Sequence, residues 1–140
     1  MACPFFMPFE RADDIAFQHP ARLPLGSSWR GSCLAPGHEQ ATLSTLELES
    51  CNLGYAKSCP RLPEERSCDA VRFAVVNEAR DLISLQFVLE KAYLPASHGR
   101  LEYDQQSGNW TRVHSDRSIQ KKAECFLQSY LDRNSHERIP

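Results

Sequence analysis

Ile83-Ser84-Leu85-Gln86-Phe87-Val88-Leu89-Glu90 is the stretch that decides the fold class. Ile83, Leu85, Phe87 and Leu89 alternate with Ser84, Gln86, Val88 and Glu90, the two-residue period of a strand with one buried face. Residues 69–94 contain no Gly or Pro, so a single long helix competes for the same segment. The alternation and the β-branched residues favour strands. Upstream, Val71, Phe73 and Val75 alternate in the same way, and the polar run Asn77–Asp81 reads as the turn between the two strands. Downstream, Leu101 and Tyr103 mark a third short strand. Trp110 to His114 mark a fourth, after the turn residues Ser107-Gly108-Asn109.

A helix closes the chain. Ile119, Ala123, Phe126, Leu127, Tyr130 and Leu131 fall on one stripe of a 3.6-residue period, and Ser115 or Asp116 can cap its start. The stripe is expected to cover one face of a four-stranded antiparallel sheet.

The first half is different. Residues 1–68 hold seven of the nine prolines and five of the six cysteines. Proline fixes φ and removes a donor, which argues against long helices and central strands there. One helix is expected, because Ser44-Thr45-Leu46-Glu47 has capping-box spacing with Leu43 as a staple residue. Gly54 suits the left-handed position after its end. Cys51 then lies in the last helical turn, and a loop returns the chain to Cys59.

The fold class expected is therefore α+β: an irregular, cysteine-ligated N-terminal lobe (1–68) on a four-stranded antiparallel sheet with a C-terminal helix (69–134). At 140 residues, with 41% hydrophobic and 24% charged residues, the chain fits one soluble domain. The net charge of −2 provides no long-range field for nucleic acid or an anionic membrane. No segment approaches the ~20 apolar residues of a membrane span. The opening Met1–Phe9 is apolar, but it lacks a basic start and is interrupted by Pro4 and Pro8. It reads as a tail packed on the core through Phe5, Phe6 and Phe9, in a cytoplasmic protein.

In a reducing compartment, cysteines bind metals or do chemistry more often than they form disulfides. Thiolate sites need about four converging ligands. The spacings are wide, with 29 residues between Cys3 and Cys33, 17 between Cys33 and Cys51 and seven between Cys51 and Cys59. Zinc sites usually use close C-x2-4-C pairs, which are missing here. An iron–sulfur cluster is bulkier, and separate loops can reach its corners. Cys3-Pro4 and Cys59-Pro60 repeat the Cys-Pro dipeptide that ends a bacterial ferredoxin ligand run, a local likeness that identifies no family.

The expected ligands are Cys3, Cys33, Cys51 and Cys59, around a [4Fe–4S] cluster used for electron transfer or redox sensing. Cys68 could replace any of them, and reads otherwise as a small buried hydrophobe. Cys125, placed on a polar helix face with Lys121, Gln128 and Asp132, reads as incidental. The alternative is a zinc or metal-free module without catalysis that binds a protein partner, with His38 available for a Cys3His zinc site. Free buried thiols would fit the metal-free form.

The remaining motifs are weaker. His19, His38, His98, His114 and His136 fall in no protease signature, and no phosphate-binding glycine run or H-E-x-x-H occurs. Trp29-Arg30 and Trp110-Thr111-Arg112 could stack on bases, but there is no basic stripe to accompany them. A redox or protein partner is expected, and the sequence leans away from an enzyme.

Overall fold

In the computed structural model the chain is described over residues 2–14, 23–39, 41–53 and 59–137. It is α+β. A two-stranded antiparallel sheet, β1 (Phe6–Arg11) and β2 (Trp29–Cys33), is followed by helix α1 (Thr45–Leu53). Then come β3 (Ala70–Ala79), β4 (Leu82–Lys91), β5 (Leu94–Asp104), β6 (Asn109–Arg112) and helix α2 (Arg117–Glu137).

Strands β3 to β6 form an antiparallel meander in sequence order, as the alternation predicts. Three boundaries differ from the sequence expectation, the smallest being β6, which runs Asn109–Arg112 instead of Trp110 to His114. β3 continues through Asn77 to Ala79, with a bulge between Val75 and Asn77, and the turn shrinks to Arg80-Asp81. β5 begins at Leu94 rather than near Leu101, and Pro95 lies within it opposite Glu90. Proline is tolerated there because short β6 pairs only with Glu102, Tyr103 and Asp104, leaving the first half of β5 as an edge.

Helix α2 begins as expected. The Asp116 Oδ1 accepts from the N–H groups of Ser118 (2.8 Å) and Ile119 (3.2 Å), satisfying first-turn donors. Its expected stripe packs on the sheet. Ile83, Leu85 and Leu101 from the strands meet Ala123 and Leu127, with Phe126, Tyr130 and Leu131 around them.

The opposite side of α2 overturns the reading of Cys125. It is 3% exposed, in a second core with Ala2, Cys3, Phe6, Leu25, Trp29 and Leu48. Ser118, Lys122, Cys125 and Ser129 follow one another at helical spacing, and all four are buried. The helix is covered on two sides, by the meander and by the N-terminal segments, so a strip that looks polar in sequence lies inside.

The N-terminal half is more regular than its prolines suggest. β1 tolerates Pro8 because it belongs to a two-stranded sheet, where Pro8 pairs with Gly31 next to a bulge at Phe9. Gly31 is required there, since a Cβ would sit 2.3 Å from the Met7 carbonyl oxygen. Phe6 is buried and Phe5 half-buried, as a packed tail requires, whereas bulged Phe9 is exposed.

Candidate functional site

The four cysteines chosen from sequence line one cavity of about 230 Å3, with Phe5, Phe6, Leu43 and Leu62 among its apolar walls. Each sulfur arrives by a different element. Cys3 lies in the segment before β1, where its N–H donates to the Cys51 carbonyl at 3.0 Å. Cys33 ends β2 opposite Phe6, and the next residue's amide, Leu34 N–H, donates to the Phe5 carbonyl at 2.7 Å.

Cys51 is carried by α1. The capping box forms as read, with Glu47 N–H donating to Ser44 Oγ and Ser44 N–H donating to Glu47 Oε1. Asn52, 1% exposed, fastens the other end of the helix to β2. Its Oδ1 accepts from Trp29 N–H at 3.0 Å, while Nδ2 donates to Trp29 O at 2.9 Å and Leu48 O at 2.8 Å. Cys59 follows residues 54–58, so the expected Gly54 cap and returning loop lie outside the described residues. Arg61 pairs with Glu47, which ties the Cys59-Pro60-Arg61 segment to the first turn of α1.

Burial and neighbouring thiols both act on the ionisation of Cys3 and Cys51. Burial raises the Cys51 thiol to about 12, and Cys3, Cys33 and Cys59 each push it further in the same direction. Burial also raises Cys3; the Phe5 amide and Lys122 oppose this, while Cys33 and Cys59 add to it. Burial therefore favours the protonated thiol at Cys3 and Cys51. A metal would have to displace those protons.

Among the described residues, no three His, Cys, Asp or Glu side chains are gathered so as to hold a single metal ion. A structural zinc draws its sulfurs to about 2.3 Å from one point. Here the thiols line a space that, at about 230 Å3, exceeds the ~150 Å3 apolar cavity known to admit benzene. The Ala35 N–H donates to Cys33 Sγ at 3.4 Å, the type of contact that stabilises charge on a ligating sulfur. Four thiols, apolar walls and an amide donor to sulfur suit a polynuclear centre.

The other candidates lie elsewhere. Cys68 is buried beside a different cavity, with Pro4, Phe5, Asp116 and Ser118. His38 is not among the residues lining the four-cysteine cavity. His98 is on β5 opposite Val88, and His114 packs edge-on against Phe87 with its Nδ1 accepting from Asp116 N–H. His19 and the His136 side chain lie outside the described residues. Trp29 is buried in the core, and Trp110 packs on Tyr103.

Two residues outside the cavity lining support its segments without a sequence signal for that role, Asn52 and Lys122. Asn52 follows Cys51 in a short helix, and a polar residue there signals nothing by itself. Lys122 belongs to the pair Lys121-Lys122, which reads in the sequence as a solvated charge pair, whereas the structure buries Lys122 completely. Comparison with protein-family models, with curated proteins and with solved structures returned no match. No helix among the described residues is long and apolar enough to cross a membrane.

Proposed function

We propose that Cys3, Cys33, Cys51 and Cys59 ligate an iron–sulfur cluster of the [4Fe–4S] type, and that the protein works in electron transfer or redox sensing without catalysing a reaction itself. The observation that supports this reading is that these four cysteines, from four separate segments, are among the residues lining one cavity of about 230 Å3. Such a cluster, when bound, exchanges single electrons with a redox partner. The protein's part is to hold four sulfurs, exclude water with Phe5, Phe6, Leu43 and Leu62, and supply amide donors such as Ala35 N–H. Four protein ligands leave no corner for a substrate, which favours electron transfer over chemistry at iron.

The half-buried Cys51 and Cys59 mark the side on which a partner approaches. Leu46, 60% exposed, and the Arg61–Glu47 pair form the adjacent rim. Anaerobic purification tests the reading. The expected protein is brown, with broad absorption near ~400 nm and about four irons and four sulfides per chain. A colourless protein with one zinc would replace it with the zinc interaction module, and a folded metal-free protein would overturn both metal readings.

A further inference from the structure

Lys122 is completely buried, and its ammonium makes no ion pair among the described residues. Its Nζ donates to the carbonyls of Pro4 (3.1 Å) and Phe6 (2.8 Å), on the segment that follows Cys3. Ser118 Oγ donates to the same Pro4 carbonyl at 2.8 Å. Two carbonyl dipoles satisfy hydrogen bonds without neutralising a charge, and a buried ammonium costs several kcal/mol unless it is compensated. A neutral residue would fill the space at lower cost.

The ionisable groups that favour its charged form are Cys3, Asp116, Cys68 and Cys125, with Cys3 the strongest. Asp116 stays ionised and offsets part of the Lys122 charge: burial raises its carboxyl, but bonds from Ser118 and Ile119 and the nearby Lys122 hold it below the usual range. Cys68 and Cys125 are buried thiols whose protonated form is favoured by that burial. Cys3 is the group that would become permanently anionic on ligating iron.

The geometry points to Lys122 as the buried counter-charge of the four-cysteine centre: it positions the Cys3 segment and stabilises the reduced, more negative state of the cluster. This rests on the iron–sulfur reading above. A cluster with four thiolates is anionic, and gaining one electron from a reductant adds one negative charge. A fixed positive charge bonded to the segment that follows Cys3 stabilises the reduced form more than the oxidised form, and so raises the midpoint potential. Lys122 is thus a positioning residue that also sets the potential.

The test is a mediated potentiometric titration, with dithionite as reductant, of the anaerobically purified full chain and its variants. Lys122→Met and Lys122→Gln should shift the reduction equilibrium about tenfold or more toward the oxidised form, ~59 mV lower for a one-electron couple. Lys122→Arg, if it accommodates, should stay near wild type. Ser118→Ala removes a neutral hydroxyl that contacts the Pro4 carbonyl and the Asp116 carboxylate; it keeps both charges and should leave the potential unchanged, which separates charge from mere support. Unchanged midpoints in both neutral variants, with iron retained, would overturn the proposal and leave the cluster reading intact. Failure of both to fold, judged by circular dichroism of metal-free protein, would assign Lys122 a structural role only and also overturn it. Wild-type protein without iron would remove the cluster reading itself, and this inference with it.

Discussion

The N–H of Cys3 donates to the carbonyl of Cys51 at 3.0 Å, joining the start of the chain to the last turn of α1. Adjacent bonds hold the same segment to other elements. Ala2 and Val71 exchange hydrogen bonds of 2.7 and 2.8 Å, and Lys122 reaches Pro4 and Phe6 from α2. The segment that delivers one thiol is thus tied to α1, to β3 and to α2. Small changes in any of them should reach the cysteine cavity.

The ligand set is the most direct consequence. Cys3→Ala, Cys33→Ala, Cys51→Ala or Cys59→Ala should each cost most of the bound iron, or leave a cluster that bleaches many times faster in air. Cys125→Ala and Cys68→Ala should retain it, because those thiols lie outside the shared cavity. Iron content and the visible spectrum of the six variants check this. Bleaching by Cys68→Ala, with one of the four proving dispensable, would revise the ligands while keeping the site.

The alkaline behaviour of the metal-free protein follows from Cys51. Its thiol is raised from 9.0 to about 12, so its contribution to stability is complete below pH 9 and is lost as pH rises toward 12. Lys122 acts oppositely. Lowered from 10.5 to about 8, chiefly by burial, it lets stability rise between pH 8 and 10.5 as the folded chain sheds its proton first. Denaturant unfolding of metal-free Cys51→Ala should therefore show a shallower decline between pH 9 and 12 than wild type. Parallel curves would mean that Cys51 is not shifted.

Asn52 gives a test of how the site is built. Asn52→Ala leaves the N–H and C=O of buried Trp29 without their side-chain partner and detaches α1 from β2. Unsatisfied buried groups cost about 1–3 kcal/mol each, so a loss of about 3 kcal/mol is expected in denaturant titrations of metal-free protein. Cluster retention should fall too, although Asn52 is no ligand. A variant with wild-type stability would show that α1 is held some other way.

The sequence disclosed the meander and the capping box because each rests on local rules, apolar alternation and reciprocal bonds between Ser44 and Glu47, although burial in β4 keeps the two-residue period only as far as Leu85 and then shifts to Val88 and Glu90. It also pointed to the four cysteines that now share a cavity. What it hid depended on tertiary context. Ala92 and Tyr93 both adopt positive φ (53° and 66°) in the β4–β5 turn, a conformation ordinarily signalled by Gly or Asn, so β5 was expected to begin too late. Cys125 reads as a surface residue because its sequence neighbours on α2 are polar, whereas the N-terminal segments bury that second face of the helix. β1 and β2 were hidden by Pro8, which a two-stranded sheet accommodates.

The last prediction concerns how the two halves depend on metal. Residues 70–134 have their own nucleus, with Ile83, Leu85 and Leu101 against Ala123 and Leu127, and every strand of the meander is paired to a sequence neighbour. The first half has a two-stranded sheet and a nine-residue helix, arranged around a cavity lined by thiols. Short helices and isolated two-strand sheets are marginal alone, so a cluster bridging their four segments would supply much of their order. Removing the cluster by oxidation or chelation should speed amide exchange across β1, β2 and α1 while β3 to β5 and the middle of α2 keep their protection. Ala2 and Val71 should exchange at intermediate rates, since their mutual bonds do not involve the cavity. Hydrogen exchange read by mass spectrometry distinguishes the outcomes. Equal protection of both halves with and without metal would mean that the cysteines are core residues of an ordinary domain, and would favour an interaction module over a redox protein.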